Sequence, residues 1–267
     1  MKKYFTFFKI RFQATLQYRT AAWAGVATQF VWGGMRILMF MAFYRANAAA
    51  FPMEFSELSS YIWLQQAFLA IFNVWTFDTE IMESITNGNV ANDLLRPMDI
   101  YSMWFTKDAA SRMAKALLRC VPVIIITSFL PAPYGLSMPK SFEAFIAFII
   151  TLILGVAVMI SICMYVYILT MKFMSSLGVR ILFMNFAEFL AGSIIPLPFM
   201  PNGVRFFLEL LPFASTGNLP LRIYSGNISG NEMWFYIAVQ IFWLIFLQLT
   251  GRVWLKSKLR KAVIQGG

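Results

Sequence analysis

Residues 142–169 read FEAFIAFIITLILGVAVMISICMYVYIL, twenty-eight positions with one charge, Glu143, next to the start. A helix needs roughly 20 apolar residues, at 1.5 Å each, to cross the ~30 Å hydrocarbon core of a bilayer. This stretch exceeds that length and has no polar face, so it reads as a buried or membrane-crossing helix rather than an amphipathic surface one. The rest of the chain agrees. Of 267 residues, 60% are hydrophobic and only 13% are charged, against roughly a quarter charged in a soluble domain. Lipid needs no polar coat, which accounts for the deficit.

Outward from this stretch, five further apolar runs appear, at about residues 21–44, 59–77, 113–130, 179–195 and 233–253. The expected fold is an all-α polytopic membrane protein of six crossings. Residues 1–267 form a single transmembrane domain with no obvious internal repeat, unlike many secondary transporters. An N-terminal signal peptide is not expected, because Lys9 and Arg11 interrupt the first apolar stretch. Residues 1–20 read instead as an interfacial helix, with Phe5, Phe8, Phe12 and Leu16 on one face and Lys2, Lys9, Gln13 and Gln17 off it.

The net charge of +10 is distributed as a topology signal. With both termini inside, the cytoplasmic segments collect seventeen lysines and arginines. These are Lys2, Lys3, Lys9, Arg11 and Arg19; Arg96, Lys107, Arg112, Lys115 and Arg119; Lys172 and Arg180; and Arg252, Lys256, Lys258, Arg260 and Lys261. The outer segments hold four, Arg45, Lys140, Arg205 and Arg222, while Arg36 falls within the first crossing. The positive-inside rule then places both termini in the cytoplasm. No continuous basic surface is left for a nucleic-acid groove, so no nucleic-acid partner is expected. There is no histidine, and Cys120 and Cys163 lie far apart in apolar runs. Neither a metal site nor a disulfide is expected.

Two connections do not read as ordinary loops. Residues 80–99, EIMESITNGNVANDLLRPMD, place a helix terminator at Asn87-Gly88-Asn89, since glycine and asparagine tolerate the left-handed conformation. A short amphipathic element from Val90 through Asp93 to Leu94 and Leu95 follows and stops at Arg96-Pro97. Asp99 then caps the helix that enters the third crossing. This element either anchors the loop to the membrane surface or docks a cytoplasmic partner. The second connection, residues 196–226, opens with three prolines, Pro196, Pro198 and Pro201, which end the fifth helix. An apolar segment closed by Pro212 follows, then Pro220, Tyr224 and Gly226. It reads as a re-entrant helical hairpin in the outer leaflet or a helix flat on the outer surface. Irregular backbone at membrane depth persists only where protein covers it or a cavity adjoins it.

These two segments together resemble the ABC type-2 permease family. The matching positions are Gly88-Asn89-Val90 with Leu94-Leu95-Arg96-Pro97 after the second crossing. PLPFMP at 196–201, LLPF at 210–213, Pro220 and Tyr224-Ser225-Gly226 match before the last. The resemblance covers nearly the whole chain and rests on their order and spacing. It implies a bacterial inner-membrane exporter made of two permease subunits, identical or related, and a cytoplasmic ATPase dimer. It implies that residues 81–112 are the coupling region, with Asn87–Pro97 seated on the ATPase. It also implies that the Pro196–Pro220 hairpin closes the outer side of the pathway. The chain has no GxxxxGK[ST] phosphate cradle. ATP and magnesium are therefore expected in the partner, and no cofactor in this chain.

Glu188 is the one carboxylate expected deep in a crossing, about nine residues into the fifth, with Asn185 and Gly192 on the same face. Such a group is paired, protonated or facing water. Its role is either a pathway or gating residue or a structural pair, and Arg36 is a candidate partner. An ion-coupled secondary transporter using Glu188 is the alternative function. A membrane enzyme is ranked last, for want of histidine and of a polar cluster.

Overall fold

The computed structural model describes residues 2–73, 75–173 and 176–260. The decisive stretch is one helix, Phe142–Phe173, with a mean hydropathy of 2.9 over its most apolar window. Its first half leaves Phe142, Phe145, Ile146, Ile149, Ile150 and Ile153 exposed, while its second half is buried in protein. In chain order the helices are α1 (Lys2–Leu16), α2 (Arg19–Ala46), α3 (Phe55–Ala67), α4 (Leu69–Phe72), α5 (Thr79–Thr86) and α6 (Val90–Leu94). There follow α7 (Ile100–Ser128), α8 (Phe142–Phe173), α9 (Ser176–Leu190), α10 (Asn202–Glu209), α11 (Asn218–Ser225) and α12 (Gly230–Leu259). No strand occurs among the described residues. Helix α8 is the hub, packed against α12, α11, α7, α5, α9 and α4.

Among the described residues three helices, α2, α8 and α12, are long and apolar enough to cross a membrane. Helix α7 matches them in length at 29 residues but carries Lys107, Asp108, Arg112, Lys115 and Arg119. Helix α2 buries a stripe, Ala22, Val26, Gln29, Gly33, Ile37 and Phe40, at helical spacing. Its opposite side exposes Trp23, Val31, Trp32, Met35, Leu38 and Phe43, an apolar surface suited to lipid. Gly33 lets Trp63 of α3 lie against it, since a Cβ there would sit 2.6 Å from the indole ring.

Two expected crossings differ from the sequence reading. The run 59–77 is not one helix: it breaks after Ala67 and again at Asn73, whose side chain accepts from the Trp75 amide at 2.6 Å. The fifth helix ends at Leu190, not near Ile195. Gly192 adopts φ 69°, and the amides of Gly192 and Ser193 bond back to the carbonyls of Phe189 and Glu188. This is the glycine-terminated helix end in which a left-handed residue supplies donors to orphan carbonyls. Apolar residues 194 and 195 continue the hydropathy signal past that stop.

Helix α1 also differs. It packs along the first half of α7 through Tyr4 and Phe7, and its Arg11 pairs with Glu80 of α5. Lys3 donates to the Pro97 carbonyl at 2.6 Å, and the Asp99 amide donates to the Tyr4 hydroxyl at 3.0 Å. Phe5 remains 71% exposed, so one face meets protein and another does not.

Candidate functional site

A helix broken inside an apolar fold leaves carbonyls with no partner. At three places here a side chain from a neighbouring helix answers them. At the α4–α5 break the guanidinium of Arg112, 1% exposed, donates to the carbonyls of Ile71 at 3.0 Å, Asn73 at 2.8 Å and Thr76 at 2.6 Å. Asp108, one turn earlier on α7, holds Arg112 Nε at 3.0 Å, and Arg112 Nη2 lies 3.2 Å from Cys163 Sγ. Only a planar fork reaches that many acceptors at once. After α9, Arg36 donates to the Ser193 carbonyl at 2.7 Å and to Gln65 Oε1 at 2.6 Å. In the hairpin, Gln240 donates to the carbonyls of Thr151 at 2.9 Å and Ser215 at 2.7 Å. Trp243 donates to that of Leu210 at 2.7 Å.

The segment from α5 to the start of α7 is built on charge pairs. Asp78 caps α5 by accepting from the Ile81 amide at 3.0 Å. Lys107 bridges Asp78 Oδ1 at 3.0 Å and Glu80 Oε2 at 2.7 Å, and Arg11 of α1 pairs with Glu80 at 3.0 Å. The hydrogen bond from Lys107, with Arg11 nearby, holds the Glu80 carboxyl below its usual range. Gly88, at φ 73°, turns the chain into α6. The Trp104 indole donates to Asp93 Oδ2 at 3.0 Å, and Arg96 lies 3.8 Å from the same carboxylate. The far side of α6 presents Leu94 and Leu95, 44% and 83% exposed.

A cavity of about 260 Å³ opens between α2, α3, α4, α9 and the hairpin. Arg36, Glu188, Asn73, Trp75, Trp32 and Asn218 are among its lining residues. Glu188 accepts from the Trp75 indole N–H, and Tyr61 donates to Asn218 Oδ1 at 3.2 Å. Arg36 and Glu188 thus share a cavity but form no direct ion pair. Glu188 lies two residues from the end of its helix rather than mid-helix. Asn185 is outside the lining and bonds its own helix at the Ile181 carbonyl, 2.9 Å away.

The hairpin is anchored by a buried cluster. Arg222 and Glu209, 2% and 4% exposed, pair directly. Tyr236 of α12 donates to the same carboxylate, and Arg222 Nε reaches Asn227 Oδ1 at 2.6 Å. Pro196 and Pro201 precede the short 3-10 turn Leu197–Phe199 and α10 respectively, Pro198 is buried within that turn, and Pro212 is buried beyond α10. Gly155 of α8 lets the Thr216 carbonyl approach where any Cβ would collide. The sequence reading had treated Arg112, Arg205 and Arg222 as topology charges. The signal against that for Arg112 was its partner four residues earlier, Asp108, in a stretch leading into an apolar run. No metal-binding cluster occurs among the described residues.

The described residues form an all-helical, largely apolar fold in which the short helix α6 stands exposed between α5 and α7, braced on α7 by Asp93 and Trp104. The chain belongs to the ABC-2 family of transporter proteins, whose family model matches residues 30–266. It is accordingly a membrane component of an ABC transporter, of a family that carries no ATPase domain of its own and partners an ABC ATPase. No curated protein matches the chain.

Proposed function

We propose that the chain is one of two permease subunits of an ATP-driven exporter in a bacterial inner membrane. It crosses six times, by α2, α3–α4, α7, α8, α9 and α12, with both termini cytoplasmic. The observation that carries this reading is Leu95, 83% exposed at the end of a helix braced on its other side by Asp93 and Trp104. A free surface leucine needs no bracing; a docking residue transmits force only if the helix beneath it is held.

Closure of the ATPase pair pushes on α6. The push reaches α7 through Asp93–Trp104, and Arg112 of α7 grips the carbonyls of the α4–α5 break. That break carries Asn73 and Trp75 into the cavity beside Glu188. A shift of α7 therefore moves the cavity wall directly. The exposed apolar faces of α2 and α9 suit lipid or a second permease copy.

The test is purification of the tagged protein from its own membranes in mild detergent, with mass spectrometry of what accompanies it. Wild type is expected to bring an ATP-binding subunit. Leu95→Asp is expected to bring at least roughly tenfold less, because an unpaired charge pressed into an apolar groove costs several kcal/mol. Folding should be unaffected at so exposed a site. Absence of any ATPase with wild type, even after crosslinking, would sink the reading. Transport that persists without ATP and collapses with the proton gradient would then favour ion coupling through Glu188.

A further inference from the structure

Lys115 and Arg119 stand one turn apart on α7, continuing the face that holds Asp108 and Arg112. The guanidinium of Arg119 lies over bare backbone of α2: a Cβ built on Gly25 would be 2.7 Å from its Cζ and 2.8 Å from its Nε. Gly25 belongs to the second turn of α2, a 28-residue apolar helix beginning at Arg19. Arg119 therefore reaches the level of the first turns of a crossing, and Lys115 sits about 6 Å nearer the start of α7 at 1.5 Å per residue.

The neighbouring acids are already engaged. Asp108 is held by Arg112 through Oδ1, its Oδ2 accepting no hydrogen bond, Asp78 is held by Lys107 and Asp99 by Arg252. None of the nine ion pairs among the described residues includes Lys115 or Arg119. Both side chains are half-buried rather than splayed into solvent. Two adjacent cations at a bilayer edge, partly desolvated and in no direct ion pair, on a face where Arg112 already takes up Asp108 Oδ1, call for an anion from outside the chain. At that depth the available anions are the phosphates of the leaflet.

We propose that Lys115 and Arg119 hold the phosphate of an inner-leaflet anionic phospholipid in the groove between α2 and α7. The site rests on the six-crossing topology proposed above. Gly25 is part of it, because only a residue without a Cβ leaves the guanidinium its place against α2. The lipid neutralises the two charges and bridges the first crossing to the helix that carries Arg112.

The full chain, purified in mild detergent, is compared with Lys115→Gln/Arg119→Gln and with the charge-keeping Lys115→Arg/Arg119→Lys. The probes are short-chain phosphatidylglycerol, short-chain phosphatidylcholine and inorganic phosphate, each titrated against thermal unfolding. Phosphatidylglycerol is expected to stabilise wild type most, and inorganic phosphate at equal concentration to do nothing. The glutamine pair should bind phosphatidylglycerol roughly 25-fold more weakly, at about a fivefold factor for each cation near an anionic surface. The charge-keeping pair should stay within about twofold of wild type, on the same principle. Equal phosphatidylglycerol binding by the glutamine pair would overturn the site, as would equal stabilisation by inorganic phosphate. The topology is tested separately by Met98→Cys in a Cys120→Ser background with a membrane-impermeant maleimide. Labelling from the cytoplasmic side upholds it; labelling from outside defeats the topology, and the inner-leaflet site with it.

Discussion

Arg112→Met is expected to destabilise the protein by about 3–5 kcal/mol, the range for breaking a buried pair by removing one partner. In a fold held by a margin of roughly 5–15 kcal/mol, that is a large fraction of the whole. The loss has two parts. Asp108, 2% exposed, is left as a carboxylate without a counter-ion, and the carbonyls of Ile71, Asn73 and Thr76 lose their donor. Arg112→Lys should recover little, because a compact ammonium cannot reach three diverging acceptors while also meeting Asp108. Adding Asp108→Asn to Arg112→Met removes the stranded charge and should return part of the loss, leaving the carbonyls unmet. Thermal unfolding in detergent, followed by size-exclusion profile, reads all three. A midpoint for Arg112→Met close to wild type would show that the α4–α5 break does not depend on this fork.

Glu209→Ala should have a comparable effect, about 3–5 kcal/mol, but confined to the other end of the molecule. It strands Arg222, which is 2% exposed, and removes the acceptor of Tyr236. The expected signature is faster hydrogen exchange through residues 202–225, with little change near α5 and α6. Tyr236→Phe keeps the ion pair and removes one hydrogen bond to a charged group, so about 1.5–3 kcal/mol is expected. Unchanged exchange in the hairpin of Glu209→Ala would mean that apolar packing of α11 on α8 suffices to hold it.

Both of these residues show where sequence reading stops. Residues 142–169 announce their helix by composition alone, and Gly88, Pro97 and Asp99 mark the connection between α5 and α7 by local backbone chemistry. Such signals are written within a few residues of the feature they cause. Arg112 is different. Its acceptors lie 36–41 residues back in the chain, and their carbonyls belong to the backbone, which every sequence has. Beside an apolar run, only Asp108 four residues earlier sets this arginine apart from a topology charge, and nothing in the pattern names its acceptors. Arg36 fails the same way, since its acceptor is the Ser193 carbonyl, 157 residues distant. Glu188 was misplaced for a simpler reason. Hydropathy continues through Ile194 and Ile195, whereas the helix stops at the positive φ of Gly192. On α1 the apolar periodicity picked out Phe5, Phe8, Phe12 and Leu16. That pattern carries no sign of the protein contacts of α1, which Tyr4 and Arg11 make.

The central claim is that α6 is the seat of the ATPase. It is tested most directly by a photoreactive residue placed at Leu95 in native membranes, with Phe207 as the control site on α10, 62% exposed. The account predicts a covalent adduct with an ATP-binding subunit from position 95 and none from position 207. An adduct from position 207, or from neither while the ATPase is present in the same membranes, would contradict it.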